Sequence, residues 1–359
     1  MSDRILLLSH SHAFGPFRVG SHHYARTLAH RGAEVVHLST PISLAHQATG
    51  RVRRADLDAV PRGAFVDGVT HLVPRTVLPR PYGRFRVARE LERRGLGGTF
   101  DAVLIDQPLL WDESVRSLAR RVVYRPTDLY PTGVKAQLQQ RIIAAVDGVV
   151  ATSAEVLRAL GPLTVPALVL ENGVDAGRFA ATASTGRPAV CVYVGALDGR
   201  FDWAQLDAWA RAYPDVRFVV AGPDGAPPAS LSSPFPANVD LVGPVSYDRL
   251  PALLHGARVG LLPLSDDPLN AGRSPMKLYE YLAAGLSVVA RETPVIRGDE
   301  DAGVFCYRGA DGADVALRRA LERAAPNEAG VERAAAEAWE GKTAALWEFV
   351  EGLGRGPGR

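Results

Sequence analysis

Lysine is scarce in this sequence. Of its 41 lysine and arginine residues, only Lys135, Lys277 and Lys342 are lysine. A position that keeps lysine in such a chain is a candidate for a compact ammonium group, which approaches a phosphate as a point charge. Chance would explain so small a set equally well, so each lysine needs support from its surroundings.

Cysteine is nearly absent too, and long apolar runs are missing. Cys191 and Cys306 lie in apolar, strand-like stretches, so they indicate buried thiols in a reducing compartment and not a disulfide. No apolar run reaches the roughly 18 residues of a transmembrane helix. The first residues, MSDRILLLSHSH, contain too short an apolar run for a signal peptide. We therefore expect a cytoplasmic protein that either stays in solution or contacts the inner face of a membrane.

The formal net charge of +2 hides an asymmetry along the chain. Residues 1–175 hold 22 Lys and Arg against 16 Asp and Glu, a balance of +6, and the remaining residues hold 19 against 23, a balance of −4. Much of the excess lies in RTVLPRPYGRFRVARELERR at 75–94. A basic stretch with aromatic residues favours anionic lipid headgroups as a partner. The alternative is a solvated helix face that Glu90 and Glu92 partly neutralise.

Signatures of nucleic-acid binding and of metal sites are also missing. The sequence contains no helix-turn-helix, no RNA-binding signature and no zinc-ligand spacing, so we expect no nucleic-acid partner. Histidines are frequent between His10 and His23, but no cysteine or pair of carboxylates completes a metal-ligand set there. We therefore predict neither a metal nor any other resident cofactor.

The length of 359 residues is too great for one ordinary core and favours two domains. Apolar strand candidates alternate with helical stretches in both halves, which is typical of parallel sheets covered by helices on both faces. We predict an α/β fold with two doubly wound, Rossmann-like domains at 1–174 and 175–335. Residues 336–359 are expected to form a C-terminal helix and a disordered tail, and whether that helix packs on the first domain is left open.

The predicted elements follow from these apolar patterns. The strand candidates are 4–9, 34–39, 101–106, 121–125, 148–152, 189–195, 216–222, 238–243, 258–264, 286–290 and 303–307. The helical stretches are 21–31, 112–120, 132–145, 202–212, 247–255, 275–284 and 331–351. Since open parallel sheets bind ligands at the carboxyl ends of their strands, polar residues just after these strands are the first candidates for a site.

The stretch SPMKLYEYLAAG at 274–285 predicts a short helix that begins near such a strand end. Ser274 is a favourable N-cap, Pro275 suits the first helical position, and the closing glycine suits a left-handed helix end. The free amides of the first turn, the helix dipole and Lys277 together make an anion site. Glu280 lies on nearly the same face and can accept two hydroxyl groups of a ribose. The alternative is a plain capped helix with a Lys–Glu surface pair.

A family resemblance supports the first of these interpretations. The stretch SPMKLYEYLAAGLSVVA resembles the donor-binding motif of two-domain glycosyltransferases with the GT-B fold, and the chain is most similar to bacterial transferases of the xanthan glucuronosyltransferase and teichuronic-acid glycosyltransferase kind. Further segments agree in the same order along the chain. They are VVYRPTDLYP, VDGVVATSAEVL, ENGVD, YVGALDGRFDW, FVVAGP and NVDLVGPVSYDRLPALLHGARVGLLPL.

The resemblance implies two domains that face each other across a cleft and a nucleotide-sugar donor, commonly a UDP-sugar, held by the C-terminal domain. The acceptor would be a sugar, a lipid-linked molecule or a natural product. The residues that the resemblance assigns to the donor are Gly195, Arg200, Gly243, Tyr247, Ser274, Met276, Lys277 and Glu280. The residues from 274 onward would hold the diphosphate and the ribose. The 243–247 loop would hold the base, and the 195–200 turn would line the cleft.

The chemistry of the transfer is predicted to be inverting and independent of metal. The Asp-x-Asp metal motif of the other large transferase fold is not matched by Asp266 and Asp267, which are adjacent. Retaining members of this fold usually carry two glutamates eight residues apart, and Gly272 stands where the first would fall. An inverting displacement needs one general base on the acceptor hydroxyl. We predict Asp128 in this role, with His12 as its rival, and an N-cap or turn aspartate as the alternative for Asp128.

The segment SHSHAFGPFRVGSHHYARTL at 9–28 is expected to form a loop on the acceptor side. Its glycines match neither a dinucleotide fingerprint nor a P-loop. The predicted acceptor-side residues are Gly15, Arg18, Gly20, His22 and Asp106, the last of which is a further candidate base. For His22, a polar residue at a helix start is the alternative.

Two other functions share part of this pattern. A sugar-nucleotide 2-epimerase has the same fold and would process its donor without an acceptor. A two-domain sugar-binding protein of the transport type is the non-enzyme alternative, but it would normally carry an export signal. Fold alone does not decide between them, and the donor motif favours the transferase.

Overall fold

The computed structural model describes residues 2–45, 59–180, 186–223, 227–228, 231 and 234–354. The chain divides into two compact units, Met1–Glu171 with Lys342–Arg359 and Asn172–Gly341. The predicted boundaries at 174/175 and 335/336 thus lie three residues after the first division and six before the second. We describe each unit separately.

The first unit contains an eight-stranded sheet with strand order β10-β9-β8-β7-β1-β2-β5-β4 and a separate parallel pair, β3 and β6. All neighbours in the large sheet are parallel except β4 and β5. The strands are β1 Arg4–Ser9, β2 Glu34–Ser39, β3 Ile42–Ser43, β4 Gly63–Val66, β5 Val69–Leu72, β6 Arg75–Thr76, β7 Phe100–Ile105, β8 Ala119–Tyr124, β9 Gly148–Ala151 and β10 Ala167–Val169. The helices are α1 Gly20–His30, α2 Val87–Arg93, α3 Gly133–Ile143 and α4 Ala154–Ala159, with 3₁₀ turns at Pro108–Leu110 and Glu113–Leu118.

The second unit contains a six-stranded sheet in which every neighbouring pair is parallel, with strand order β13-β12-β11-β14-β15-β16. Its strands are β11 Val190–Val194, β12 Arg217–Ala221, β13 Val239–Gly243, β14 Val259–Leu262, β15 Ser287–Arg291 and β16 Val304–Tyr307. Its helices are α5 Ala176–Phe179, α6 Trp203–Ala212, α7 Leu250–His255, α8 Met276–Ala283, α9 Gly309–Glu322 and α10 Glu328–Ala336, with 3₁₀ turns at Tyr247–Arg249 and Pro268–Gly272. Helix α11, Trp339–Gly352, begins in this unit and ends in the first.

Continuous apolar runs account for the central strands. All of Ile5–Leu8 and Ala102–Ile105 are inaccessible to solvent, because helices cover both faces of a parallel sheet. The second unit has a separate apolar cluster on each face of its sheet. Val192 and Val194 belong to one cluster, and Cys191 and Tyr193, which alternate with them, belong to the other. The predicted α/β class with two parallel-sheet domains is confirmed.

Three predicted elements differ from the structure. The helix expected at 112–120 is a 3₁₀ turn, Glu113–Leu118, and the helix expected at 331–351 is two helices, α10 and α11. The tail was expected to be disordered from residue 352, but Leu353 is buried and its carbonyl accepts a hydrogen bond from Arg121 Nε at 3.0 Å. Local pattern did not reveal this, because the partner lies 232 residues away. Residues 355–359 lie outside the described residues.

No described helix is both long enough and apolar enough to cross a bilayer.

Candidate functional site

Helix α8 begins after β14, at the carboxyl edge of the second sheet, as predicted. Ser274 is not its N-cap, which corrects that prediction: the cap position belongs to Pro275, and no side chain caps the helix. Instead, Ser274 Oγ accepts a hydrogen bond from the Asn172 amide at 3.0 Å, and Asn172 Nδ2 donates to the Ser274 carbonyl at 2.7 Å. The ENGVD segment therefore holds Ser274, the residue before the cap position of the helix. Sequence reasoning missed Asn172, because its partner is 102 residues distant.

The first turn of α8 carries the predicted charges. Lys277 Nζ lies 3.0 Å from Glu280 Oε2, and their side chains are 18% and 3% exposed. A plain surface pair would be far more accessible, so this is a partly buried ion pair at a helix start. The first amides of a helix have no acceptor within it, and the helix dipole adds partial positive charge at the same place. The arrangement suits an anion, and the Lys277 side chain keeps part of its surface exposed.

Packing against the sheet fixes the position of α8. Tyr281 is inaccessible to solvent, and its hydroxyl oxygen accepts a hydrogen bond from the Val194 amide at 2.9 Å. A Cβ atom on Gly260 of β14 would lie 2.3 Å from the Tyr281 ring, so glycine is needed there. The helix ends as predicted, with Gly285 at φ +74° and its amide bonded to the Leu282 carbonyl.

The strand ends next to α8 approach each other closely. The Gly195 amide donates to the Ala221 carbonyl at 3.0 Å, and a Cβ atom on Gly222 would lie 2.0 Å from the Gly195 carbonyl oxygen. Gly243 ends β13 with φ +71° and has open space where a side chain would be. Gly195 and Gly243, which are partly exposed, therefore leave backbone accessible at the carboxyl edge of the sheet.

The other donor-side predictions have mixed outcomes. Arg200 forms an ion pair with Asp198, Nη2 to Oδ2 2.6 Å, within the predicted turn. Tyr247 is 5% exposed and packs edge-on against Phe179, with the Arg178 guanidinium over its ring, and its assignment to the base of the donor stays a prediction. Its apolar ring covers the core, which the sequence pattern of a turn could not show.

The adjacent aspartates Asp266 and Asp267 are loop residues, as expected. Asp267 accepts a hydrogen bond from the Leu269 amide and caps the 3₁₀ turn, and Asp266 forms an ion pair with Arg291. Gly272 closes that turn and is buried. No group of three or more His, Cys, Asp or Glu side chains in the described part of the chain is placed to hold a metal ion.

In the first unit, the predicted residue Asp106 is not accessible to a substrate. It follows β7, is 2% exposed, and both of its carboxylate oxygens accept hydrogen bonds from Arg125 Nη1 at 2.9 Å. Arg125 is itself 1% exposed and lies over the Tyr24 ring at 4.2 Å. The prediction of Asp106 as an acceptor-side base is therefore wrong. A buried carboxylate needs a charged partner, and Arg125 provides it.

Asp128 is half-buried in the loop after β8, where a ligand could reach it. Burial raises the pKa of the Tyr130 hydroxyl, and the negative charge of Asp128 raises it further. Burial lowers the pKa of the His10 imidazole, and the charges of Asp106 and Asp128 offset this only in part. Asp128 therefore lies near both side chains. Lys135 Nζ lies 4.8 Å from the centre of the Tyr130 ring. Sequence reasoning assigned no role to His10 or Tyr130, although His10 also follows a strand.

The loop at 10–19 is held by side chains that were predicted to face the acceptor. Arg18 Nη1 donates to the Gly15 carbonyl at 3.0 Å. His22 Nδ1 accepts from the Val19 amide at 3.1 Å, and its Nε2 lies 3.1 Å from the Ser11 carbonyl. With both nitrogens bonded and 5% exposure, His22 positions the loop and does not contact an acceptor. The helix-start alternative for His22 is therefore the correct one, and Gly20 begins α1.

His12 remains accessible on this loop. Partial burial lowers the pKa of its imidazole, and Arg75 and Arg18 lower it further. The ring lies 6.3 Å from that of Phe14 in a stacked arrangement. A neutral imidazole can accept a proton, so His12 stays a candidate base.

Two buried histidines that the sequence did not single out complete a cluster beneath this loop. His37 ends up between His22 and His71, with ring centres 4.8 and 5.1 Å away, and its Nε2 lies 3.2 Å from Ser21 Oγ. Burial lowers the pKa of His22 to about 3, that of His71 to about 4, and that of His37 well below its usual value. The feature of the sequence that could have indicated this cluster is a histidine inside each of two apolar strands.

This cluster predicts loss of stability in mild acid. Below pH 6.5 these histidines are protonated in the unfolded chain but stay neutral in the folded one. The free energy of unfolding therefore falls as the pH falls, by about 2 kcal/mol at pH 5 for each of His22 and His71. Urea unfolding between pH 7 and 5 measures this. The slope should decrease in His37→Gln and stay unchanged in the exposed control His30→Gln. An identical slope in both variants would contradict the assignment.

Comparisons with known proteins show which sequences part of this chain resembles. Residues 188–324, which contain β11 to β16 and α8, match the family described as glycosyl transferases group 1. A Bacillus subtilis protein described as a candidate teichuronic acid biosynthesis glycosyltransferase, TuaH, is 28% identical over 138 residues. That alignment covers 35% of this chain and 34% of the relative, so it spans about a third of the relative's length.

Solved structures match over nearly the whole chain. AviGT4, a glycosyltransferase involved in avilamycin A biosynthesis, superposes with a TM-score of 0.66 at 14% identity and 97% coverage of both chains. Anabaena HepE, solved in complex with UDP and glucose, has a TM-score of 0.64 at 13% identity, covering 97% of this chain and 99% of that one. A Rickettsia africae glycosyltransferase has a TM-score of 0.63 at 13% identity and 99% coverage of both. Identities this low show the fold alone. The resemblance predicted from the sequence is confirmed: the chain has the two-domain GT-B fold, and residues 188–324 match the group 1 glycosyl transferases.

Proposed function

We propose that this protein is a glycosyltransferase that moves a sugar from a nucleoside-diphosphate donor, first of all a UDP-sugar, to an acceptor hydroxyl. The observation that carries the proposal is the partly buried Lys277–Glu280 pair in the first turn of α8, within the family-matched residues 188–324. The UDP bound to HepE, which shares the fold, supports a uridine donor.

The second unit would bind the donor. The amides of Met276 and Lys277 at the start of α8 and the Lys277 ammonium would hold the diphosphate, because they bring fixed positive charge to one point. Glu280 would accept hydrogen bonds from the ribose hydroxyls one turn deeper. The same positive charge would stabilise the leaving diphosphate as the bond to the sugar breaks, which is the task that a metal performs in other transferases. We therefore propose a reaction that requires no metal.

The first unit would supply the general base. Asp128 lies in an accessible loop after β8, whereas Asp106 is sealed by Arg125, so Asp128 is the better base of the two carboxylates. It would take the proton from the acceptor hydroxyl as that oxygen attacks the anomeric carbon. His12 is the second candidate. Because Gly272 stands in place of a first glutamate, we propose inversion at the anomeric carbon. The acceptor would be a sugar, a lipid-linked molecule or a natural product in the cytoplasm.

A thermal-shift screen tests this proposal. UDP and UDP-sugars should raise the melting temperature by mass action, and other nucleotides should raise it less. Proton NMR of the product then reads the anomeric configuration. No shift with any nucleotide sugar would overturn the proposal, and consumption of the donor without an acceptor would favour the epimerase.

Asn172 is expected to position the donor site. Asn172→Ala removes the hydrogen bond to the Ser274 carbonyl. Ser274, two residues before α8, then keeps only one of its two hydrogen bonds to residue 172. The affinity for UDP should fall about 3- to 10-fold, the effect of one hydrogen bond. Calorimetry with UDP measures this, with the melting temperature of the free protein as the control. A lower melting temperature with unchanged affinity would mean that Asn172 serves stability alone.

A further inference from the structure

A short loop of the first unit exposes three large apolar side chains. Val77 is 70% exposed, Leu78 49% and Tyr82 80%. Single exposed apolar residues are ordinary on protein surfaces, but three within six positions form a local patch. Such a patch indicates a surface that is covered in the working state of the protein.

The loop is built to hold these side chains outward. Thr76 Oγ1 donates to the Leu78 carbonyl at 2.8 Å, and the Gly83 amide donates to the Pro79 carbonyl at 2.9 Å. Arg80 Nε donates to the Leu109 carbonyl at 2.8 Å and Nη1 to the Gly83 carbonyl at 3.1 Å. A Cβ atom on Gly83 would lie 2.4 Å from the Leu78 carbonyl oxygen, so the turn closes tightly. The exposure therefore belongs to a fixed conformation.

Arginines follow the apolar side chains directly. Arg84, Arg86 and Arg89 are exposed, and none of them forms an ion pair within the part of the chain that the structure describes. Phe85 packs on the core and Val87 is inaccessible to solvent, so Arg84 and Arg86, which alternate with them, point outward. Glu90, the next carboxylate along the chain, is buried and bonded to Arg93 and Arg94. It does not neutralise the exposed three.

We propose that this surface docks on an anionic lipid bilayer. We call it the basic loop surface and define it as Val77, Leu78, Tyr82, Arg84, Arg86 and Arg89. Residues 75–94 hold seven arginines and two glutamates, a balance of +5, which complements negative headgroups. Aliphatic side chains can enter the acyl boundary while a tyrosine stays at headgroup level. Acidic proteins or nucleic acids would use the charge but leave the exposed aliphatic side chains without a partner.

The test is flotation of the full chain with lipid vesicles. It uses no nucleotide-sugar donor and measures no activity, so a negative result would leave the transferase proposal untouched. We expect binding to phosphatidylcholine vesicles that contain about a third phosphatidylglycerol, and little binding to pure phosphatidylcholine. The affinity should fall with added salt. Binding of equal strength to both vesicle types would overturn the proposal.

Two variants separate the charge from the apolar side chains. The triple variant Arg84→Gln, Arg86→Gln, Arg89→Gln should bind about 100-fold more weakly, about fivefold per arginine. The triple variant Val77→Ser, Leu78→Ser, Tyr82→Ser should also bind more weakly and keep its salt dependence. The matched control Arg249→Gln, Arg297→Gln, Arg318→Gln removes as many exposed charges from the second unit and should bind as the unchanged chain does.

Three results would count against the proposal. Equal losses in the control and the first variant would show that only the total charge matters. Retained binding in the serine variant would remove the apolar contribution. Binding to soluble heparin without binding to anionic vesicles would replace the lipid with an acidic macromolecule. Circular dichroism of each variant establishes that it is folded, and all six altered loop positions are exposed.

Discussion

Lys277→Ala is expected to abolish UDP binding at UDP concentrations up to the millimolar range. The change removes the ammonium group beside the first amides of α8 and leaves the Glu280 carboxylate, which is 3% exposed, without its partner at 3.0 Å. The lost charge-assisted hydrogen bond is worth about 1.5–3 kcal/mol, and the uncompensated carboxylate repels the diphosphate in addition. Isothermal calorimetry with UDP measures the loss, which should be 100-fold or more.

Two further variants make this result specific. Lys342→Ala removes another of the three lysines, outside the proposed site, and should bind UDP normally. The double variant Lys277→Ala, Glu280→Gln removes the uncompensated carboxylate, so an affinity higher than that of Lys277→Ala would show that repulsion contributes to the loss. Unchanged UDP affinity in Lys277→Ala would refute the proposed donor site, whatever the activity.

Asp128→Asn is expected to lower kcat by about 100-fold or more while UDP binding stays unchanged. Asparagine keeps the size of the side chain but cannot take a proton, and general base catalysis typically contributes this much. Steady-state kinetics with a UDP-sugar and its acceptor, combined with UDP calorimetry, separate the two effects. The matched control is Asp67→Asn in the turn between β4 and β5, because Asp67 is exposed at φ +52°, which asparagine tolerates.

The same assay decides between the two candidate bases. If His12→Gln reduces kcat as strongly as expected for Asp128→Asn, and Asp128→Asn has little effect, the base is His12. Loss of UDP affinity in Asp128→Asn would mean that this carboxylate acts in binding, and the assignment of a base would fail.

Which features could be predicted from the sequence depended on how far apart along the chain the interacting residues lie. The helix at 275–284 was predictable, because proline, the Lys–Glu spacing and the closing glycine act within one element, and α8 is found at Met276–Ala283. Ser274 was misassigned, since the same residue type serves as an N-cap or as a partner for Asn172. Nothing within the helix distinguishes the two.

The unit-1 candidates show the same limit. Asp106 and Asp128 both follow strands, and both were candidates on that ground. Only the structure shows that Arg125 seals Asp106 while Asp128 stays accessible. His37 in β2 and His71 in β5 look like ordinary strand residues in the sequence. Their rings contact each other because the strand order of the sheet places β2 beside β5.

The sequence by itself determined the α/β class, the alternating strands and helices, the short helix with its lysine and glutamate, and the basic stretch at 75–94. These features follow from periodicity, local capping and composition, which operate over a few residues. The tertiary structure decided which carboxylate is buried against an arginine, what Ser274 bonds to, and which side chains of the basic stretch face outward. Each of those depends on burial and on partners far apart in the chain, and both arise only when the chain has folded.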